Sequence, residues 1–135
     1  MSSNKSATIT PFLVVKDGIK AKKFYVDAFE AAVIVSYGDE KLSAHLSIEG
    51  ASFWIGDEEP EFGNLSPQSI GGSAVRIVLI IADPEKVFNK AIAAGATQIC
   101  PVTTEESWKI GKLSDPFGHI WEIGHPLSNS EDQQG

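Results

Sequence analysis

Near its C-terminus the chain reads Ser114-Asp115-Pro116-Phe117-Gly118-His119-Ile120-Trp121-Glu122. Asp-Pro opens a turn, and Gly118 supplies backbone freedom that a residue with a Cβ lacks. Beyond the turn the side chains alternate, so Ile120, Glu122 and Gly124 share one face of a strand and Trp121 and Ile123 the other. A carboxylate set among apolar strand residues is costly to bury alone, so Glu122 calls for a partner or a ligand. Asp115 and Gly118 read as turn-making rather than catalytic residues.

Working outward from this strand, the chain repeats its own order. Phe12–Asp17 and Val78–Asp83 are short apolar runs that end in an acidic residue. Each precedes a helical stretch, about 19–29 and 84–94, with Ala21, Phe24, Tyr25 and Ala28, and Val87, Phe88, Ala91 and Ile92, at helical spacing. Asp83-Pro84 fits an N-cap followed by proline at the first helical position, and Gly95 a helix end. Three strand candidates follow each helix: 32–37, 42–48 and 52–55, then 97–102, 108–113 and 119–124. Each half therefore reads β-α-β-β-β, and the fold class is α+β. One domain spans 8–126, with modules 8–57 and 74–126 joined by a Pro-, Gly-, Ser- and acid-rich linker, 58–73. Residues 1–7 read as a flexible N-terminus and 127–135 as a disordered tail.

Composition narrows the partners. The chain has 135 residues and a formal charge of −7, which argues against nucleic acid or an anionic membrane surface. No apolar run approaches the roughly 20 residues of a membrane helix, and the opening residues lack the apolar core of a secretory signal. The single Cys100 forms no internal disulfide, in keeping with a cytoplasmic location. It precedes Pro101 with no base evident beside it, and a packing role is expected. Serine-nucleophile and P-loop patterns are absent.

Four stretches together resemble the vicinal oxygen chelate superfamily, which includes glyoxalase I, extradiol dioxygenases and bleomycin resistance proteins. They are residues 10–17, residues 44–48, Leu65-Ser66-Pro67-Gln68-Ser69-Ile70-Gly71-Gly72, and residues 108–121. Within the superfamily the pattern looks most like the PhnB-like subgroup. The resemblance implies curled mixed sheets around a cupped cavity with helices outside, and by analogy a homodimer. Relatives often carry Gly after the first helix, where this chain has Phe29-Glu30-Ala31.

Enzymes of this superfamily hold a divalent metal with His and Glu ligands, and the four ligand positions fall here on Thr10, Trp54, Arg76 and Glu122. Tryptophan cannot ligate, and arginine brings a fixed positive charge to the place of a cation. No metal or other cofactor is therefore expected. Arg76 is instead the expected partner of Glu122, with both side chains pointing into the cup. Thr10, Phe12 and Val14 are expected on the cup face of the first strand, and Ser52, Trp54 and Ile120 on that of their own strands. His119 and Trp121 face away, and His125 reads as a surface residue. The face of His45 stays open at this stage, and Trp108 is expected to border the cavity.

The favoured reading is a metal-free small-molecule binding protein that encloses an apolar or aromatic ligand with Phe12, His45, Trp54, Arg76, Trp108, Ile120 and Glu122. Two alternatives remain. One is a glyoxalase-like lyase, isomerase or dioxygenase with displaced metal ligands, or with Glu122 as a metal-free general base. The other is a structural or regulatory module with a collapsed cavity.

Overall fold

A computed structural model describes residues 6–127. The first half holds β1 (Phe12–Val15), α1 (Gly18–Phe29), β2 (Ala32–Tyr37), β3 (Ser43–Ile48) and β4 (Ala51–Asp57). A short helix α2 (Pro67–Ile70) leads to the second half: β5 (Arg76–Ile80), α3 (Pro84–Ala94), β6 (Thr97–Glu105), β7 (Trp108–Ser114) and β8 (Ile120–Pro126). Two four-stranded sheets result, ordered β1-β4-β3-β2 and β5-β8-β7-β6. In each, the outer pair β1–β4 or β5–β8 is parallel and the rest antiparallel.

The repeat extends to individual residues. Phe53-Trp54-Ile55-Gly56 in β4 matches Trp121-Glu122-Ile123-Gly124 in β8. Phe12 of β1 pairs with Trp54 as Val78 of β5 pairs with Glu122. Trp54 and Glu122 therefore occupy equivalent places in the two sheets.

Local chemistry explains the helices. Asp17 and Asp83 cap α1 and α3 by accepting from the backbone N–H groups of Lys20 and Lys86. The stripe Ala21, Phe24, Tyr25, Ala28 and Phe29 of α1 is buried. Without glycine, α1 ends by placing Glu30 itself in the left-handed region, at φ 56° and ψ 39°. Its carboxylate meets Lys90 Nζ of α3 at 2.5 Å.

The two modules share one core. Phe29 and Trp121 ring centroids lie 4.7 Å apart, and Tyr25 meets Phe53 of its own module at 5.4 Å and Trp121 of the other at 5.8 Å. Each such buried side chain contributes about 1.5–3 kcal/mol through removal of apolar surface from water. At the centre lies the turn carboxylate of Asp115, which accepts from Tyr25 Oη, from Trp121 Nε1 at 3.0 Å, and from the backbone N–H groups of Phe117 at 2.9 Å and His119 at 3.0 Å. Burial raises the Tyr25 phenol well above its ordinary value, and the neighbouring Asp115 charge adds to the effect. Asp115 makes the turn and also joins the two modules.

Three expectations need correction. The segment between the modules is more than a plain linker, since it holds α2 and is tied down by the carboxylates at its start and just before it. Asp57 accepts from the N–H groups of Gly18 (2.9 Å) and Leu42 (2.6 Å), and Glu58 from the Ser66 N–H (2.8 Å) and the Ser66 and Ser69 hydroxyls. Ser66 is fully buried, and Pro67 sits over the Gly118 turn. Thr10 does not lie on the first strand: Pro11 has no N–H to donate, and β1 begins at Phe12. Cys100 is exposed rather than packed, because its edge strand β6 presents it on an uncovered face. The expected flexible N-terminus (1–7) and tail (127–135) fall, apart from Ser6, Ala7 and Leu127, outside the described residues.

Candidate functional site

The helices cover one face of each sheet, and alternation sends the candidate site residues to the other. In β1 Leu13 and Val15 enter the core while Phe12 stays 51% exposed; in β8 Trp121 and Ile123 are buried while Ile120 and Glu122 are not. Ala44, Leu46 and Ile48 of β3 are buried, which turns His45 to the open face and answers the question that the sequence left open.

On the first sheet the register places His45 opposite Trp54 and Trp54 opposite Phe12. The three rings form a parallel row. His45 lies 4.5 Å from Trp54 at an interplanar angle of 1°, and Phe12 lies 6.5 Å from Trp54 at 4°. Gly56 makes room for this row, since a Cβ there would stand 2.7 Å from Phe12 Cζ. His45 Nε2 is buried and has no hydrogen-bond partner among the described residues. Beside Phe12 lies a largely apolar hollow of about 420 Å³, whose walls include Val14, Leu65, Ile70, Val75 and His119. His119 Nε2 lies 2.8 Å from the Val14 carbonyl and ties the β8 turn to β1.

On the second sheet the expected pair forms: Arg76 Nε lies 3.2 Å from Glu122 Oε2, in register beside Ile120. Lys112 was missed from the sequence. It sits opposite Glu122 on β7, with Nζ 3.8 Å from the same oxygen. The signal was present, because Trp108, Ile110 and Lys112 alternate onto one face, but the pairing of β7 with β8 was needed to use it. A groove of about 200 Å³ runs from Glu122 and Lys112 past Ile110 to Cys100. Trp108 opens β7 on this same face, four positions along, and borders neither group. His125 is part-buried, with Nδ1 2.8 Å from the Pro126 carbonyl. The structure thus brings together Phe12, His45 and Trp54, and separately Arg76, Ile120 and Glu122. Among the described residues no hydrogen bond, ion pair or ring contact joins the two groups.

The donor set does not fit a divalent metal. Of the four positions that the resemblance implies, Trp54 and Arg76 fill two, Thr10 lies off the strand, and the Glu122 carboxylate faces two cations. Among the described residues no three His, Cys, Asp or Glu side chains cluster as metal ligands.

No family model matches the chain. An uncharacterised protein of Mycobacterium tuberculosis (strain H37Rv) is 36% identical over an alignment covering 94% of this chain and 79% of that protein. The X-ray structure of an Arabidopsis thaliana gene product is 31% identical, with a TM-score of 0.65 over 87% of this chain and 95% of that one. A glyoxalase/bleomycin resistance protein/dioxygenase family enzyme from Burkholderia phytofirmans superposes with a TM-score of 0.70 at 20% identity, over 86% and 95% of the two chains. The chain belongs to one family with the mycobacterial protein and the Arabidopsis gene product, and that family is built on the glyoxalase/bleomycin resistance fold.

Proposed function

We propose that the protein binds a small, flat, largely apolar organic molecule without a metal. The parallel row His45–Trp54–Phe12 carries this reading, because it lies on an uncovered sheet face and its Phe12 end borders a hollow of about 420 Å³. Aromatic faces in a concave, mostly apolar setting stack on planar ligands, and a few polar groups then fix orientation. His45 Nε2, buried without a partner, supplies one such group.

The enzymatic alternatives ask for clustered metal ligands, which the described residues lack, or for an unengaged Glu122 carboxylate. Here Arg76 and Lys112 share its Oε2. Kinship with the PhnB-like subgroup, a homodimeric state and a cytoplasmic location belong to the same proposal, as does the lack of nucleic-acid or membrane partners. Among the described residues no helix is long and apolar enough to cross a membrane.

The test is a thermal-shift screen of planar aromatic compounds against the wild type and Trp54→Ala. A ligand that binds only the native state raises the midpoint by mass action, and Trp54→Ala should abolish the rise. A library without a single stabilising compound would leave the interaction-module reading in its place.

A further inference from the structure

Arg76 is the sole arginine of the chain. Its Nε lies 3.2 Å from Glu122 Oε2 and its side chain is 61% exposed, so much of the guanidinium faces solvent. A guanidinium held in this way keeps the outer edge of its fork, two parallel N–H donors spaced to match a carboxylate. Lys112 Nζ stands on the other side of the same Glu122 oxygen at 3.8 Å, the long end of an ion pair. It can take a second anion without giving up a short bond. The cluster therefore sets two positive charges against one negative. Glu105, farther along the groove, is turned toward Thr103, whose hydroxyl donates to its Oε2 at 3.1 Å.

Apolar surface lies alongside. Val78 pairs with Glu122 and is 51% exposed, Ile80 is 56% exposed, and Ile120 pairs with Arg76. Cations next to an open apolar strip match a molecule that has an acidic end and an apolar body.

We infer that Arg76 and Lys112 form an anion subsite that takes the carboxylate of a small aromatic or apolar acid, with Glu122 holding the two cations in position. This deepens the binding reading by assigning the charge of the ligand. It depends on that reading only for the aromatic part.

Two titrations separate the parts. In the first, acetate is added to ¹⁵N-labelled protein and the Arg76 Nε–H resonance is followed; with one arginine the signal is unambiguous. A saturable shift, reduced in Lys112→Ala, is expected, and an Arg76 resonance that does not move overturns the subsite. In the second, 2-naphthoate and neutral 2-naphthamide are compared by tryptophan fluorescence. Naphthoate should bind about tenfold tighter, and Arg76→Lys should narrow the gap by removing the fork while keeping the charge. Equal affinity for acid and amide overturns the subsite and leaves the aromatic platform standing. An acetate shift with naphthoate bound no more tightly than acetate supports the subsite and removes the platform; an acetate shift with no naphthoate binding overturns the subsite as one for aromatic acids.

Discussion

Tyr25 Oη donates a hydrogen bond to Asp115 Oδ2 across 90 positions of sequence, from a helix in the first module to a turn in the second. Trp121 Nε1 and two backbone N–H groups complete the shell of this buried carboxylate. Asp115→Ala leaves those donors without an acceptor and should cost about 3–5 kcal/mol. Tyr25→Phe removes one donor of four and should cost about 1–2 kcal/mol. Urea unfolding followed by tryptophan fluorescence reads both. The raised Tyr25 phenol contributes stability that is fully present below its unfolded value and is lost as pH rises above about 10. Tyr25→Phe should lack that alkaline loss.

Glu58 gives the acid counterpart. Hydroxyl donation from Ser66 and Ser69, with the Ser66 N–H, lowers its carboxyl from 4.5 to about 2. Since the unfolded chain binds this proton first, the contribution is present above pH 4.5 and is lost as pH falls toward 2. Glu58→Gln keeps an acceptor and removes the charge. Its stability should fall below the wild type at pH 6, and the two should converge near pH 2 in the same urea assay.

Two glycines in the sheets should behave differently. At Gly56 a new Cβ meets two side chains, the end of the exposed Phe12 ring at 2.7 Å and Ser43 Oγ at 3.3 Å, and no backbone. Gly56→Ala should change stability by less than about 1 kcal/mol while displacing the ring and weakening aromatic ligands. At Gly111 a Cβ would stand 2.8 Å from Val102 Cγ2, 3.0 Å from Val102 N and 3.1 Å from Phe88 Cε2. Backbone and core cannot both yield there, so Gly111→Ala should cost about 1–3 kcal/mol. Denaturation midpoints and ligand titration distinguish the two outcomes.

The periodicity that marks β8 and both helices survives in the structure because those elements are decided locally, by alternation and capping. Asp17 and Asp83 cap as their spacing suggests, and Glu122 has the arginine partner that its sequence setting called for. What stayed hidden depends on contacts between distant residues. Ser66 looks like a loop residue until Glu58 is placed beside it. Lys112 looks like a solvated lysine until β7 pairs with β8. The face of His45 became decidable only once Ala44 and Leu46 were found in the core. At α1, Glu30 took the left-handed conformation usually left to glycine, and its ion pair with Lys90 lies 60 positions away.

Glu122 falls at one of the four metal-ligand positions that the superfamily resemblance implies, yet its carboxylate faces Arg76 and Lys112. Isothermal titration of untagged, chelator-treated protein with Mn(II), Zn(II) and Ni(II) bears directly on this arrangement. No stoichiometric binding is expected for any of the three, with Glu122→Ala indistinguishable from the wild type. One equivalent bound at micromolar concentration and lost in Glu122→Ala would show that the carboxylate serves a metal after all.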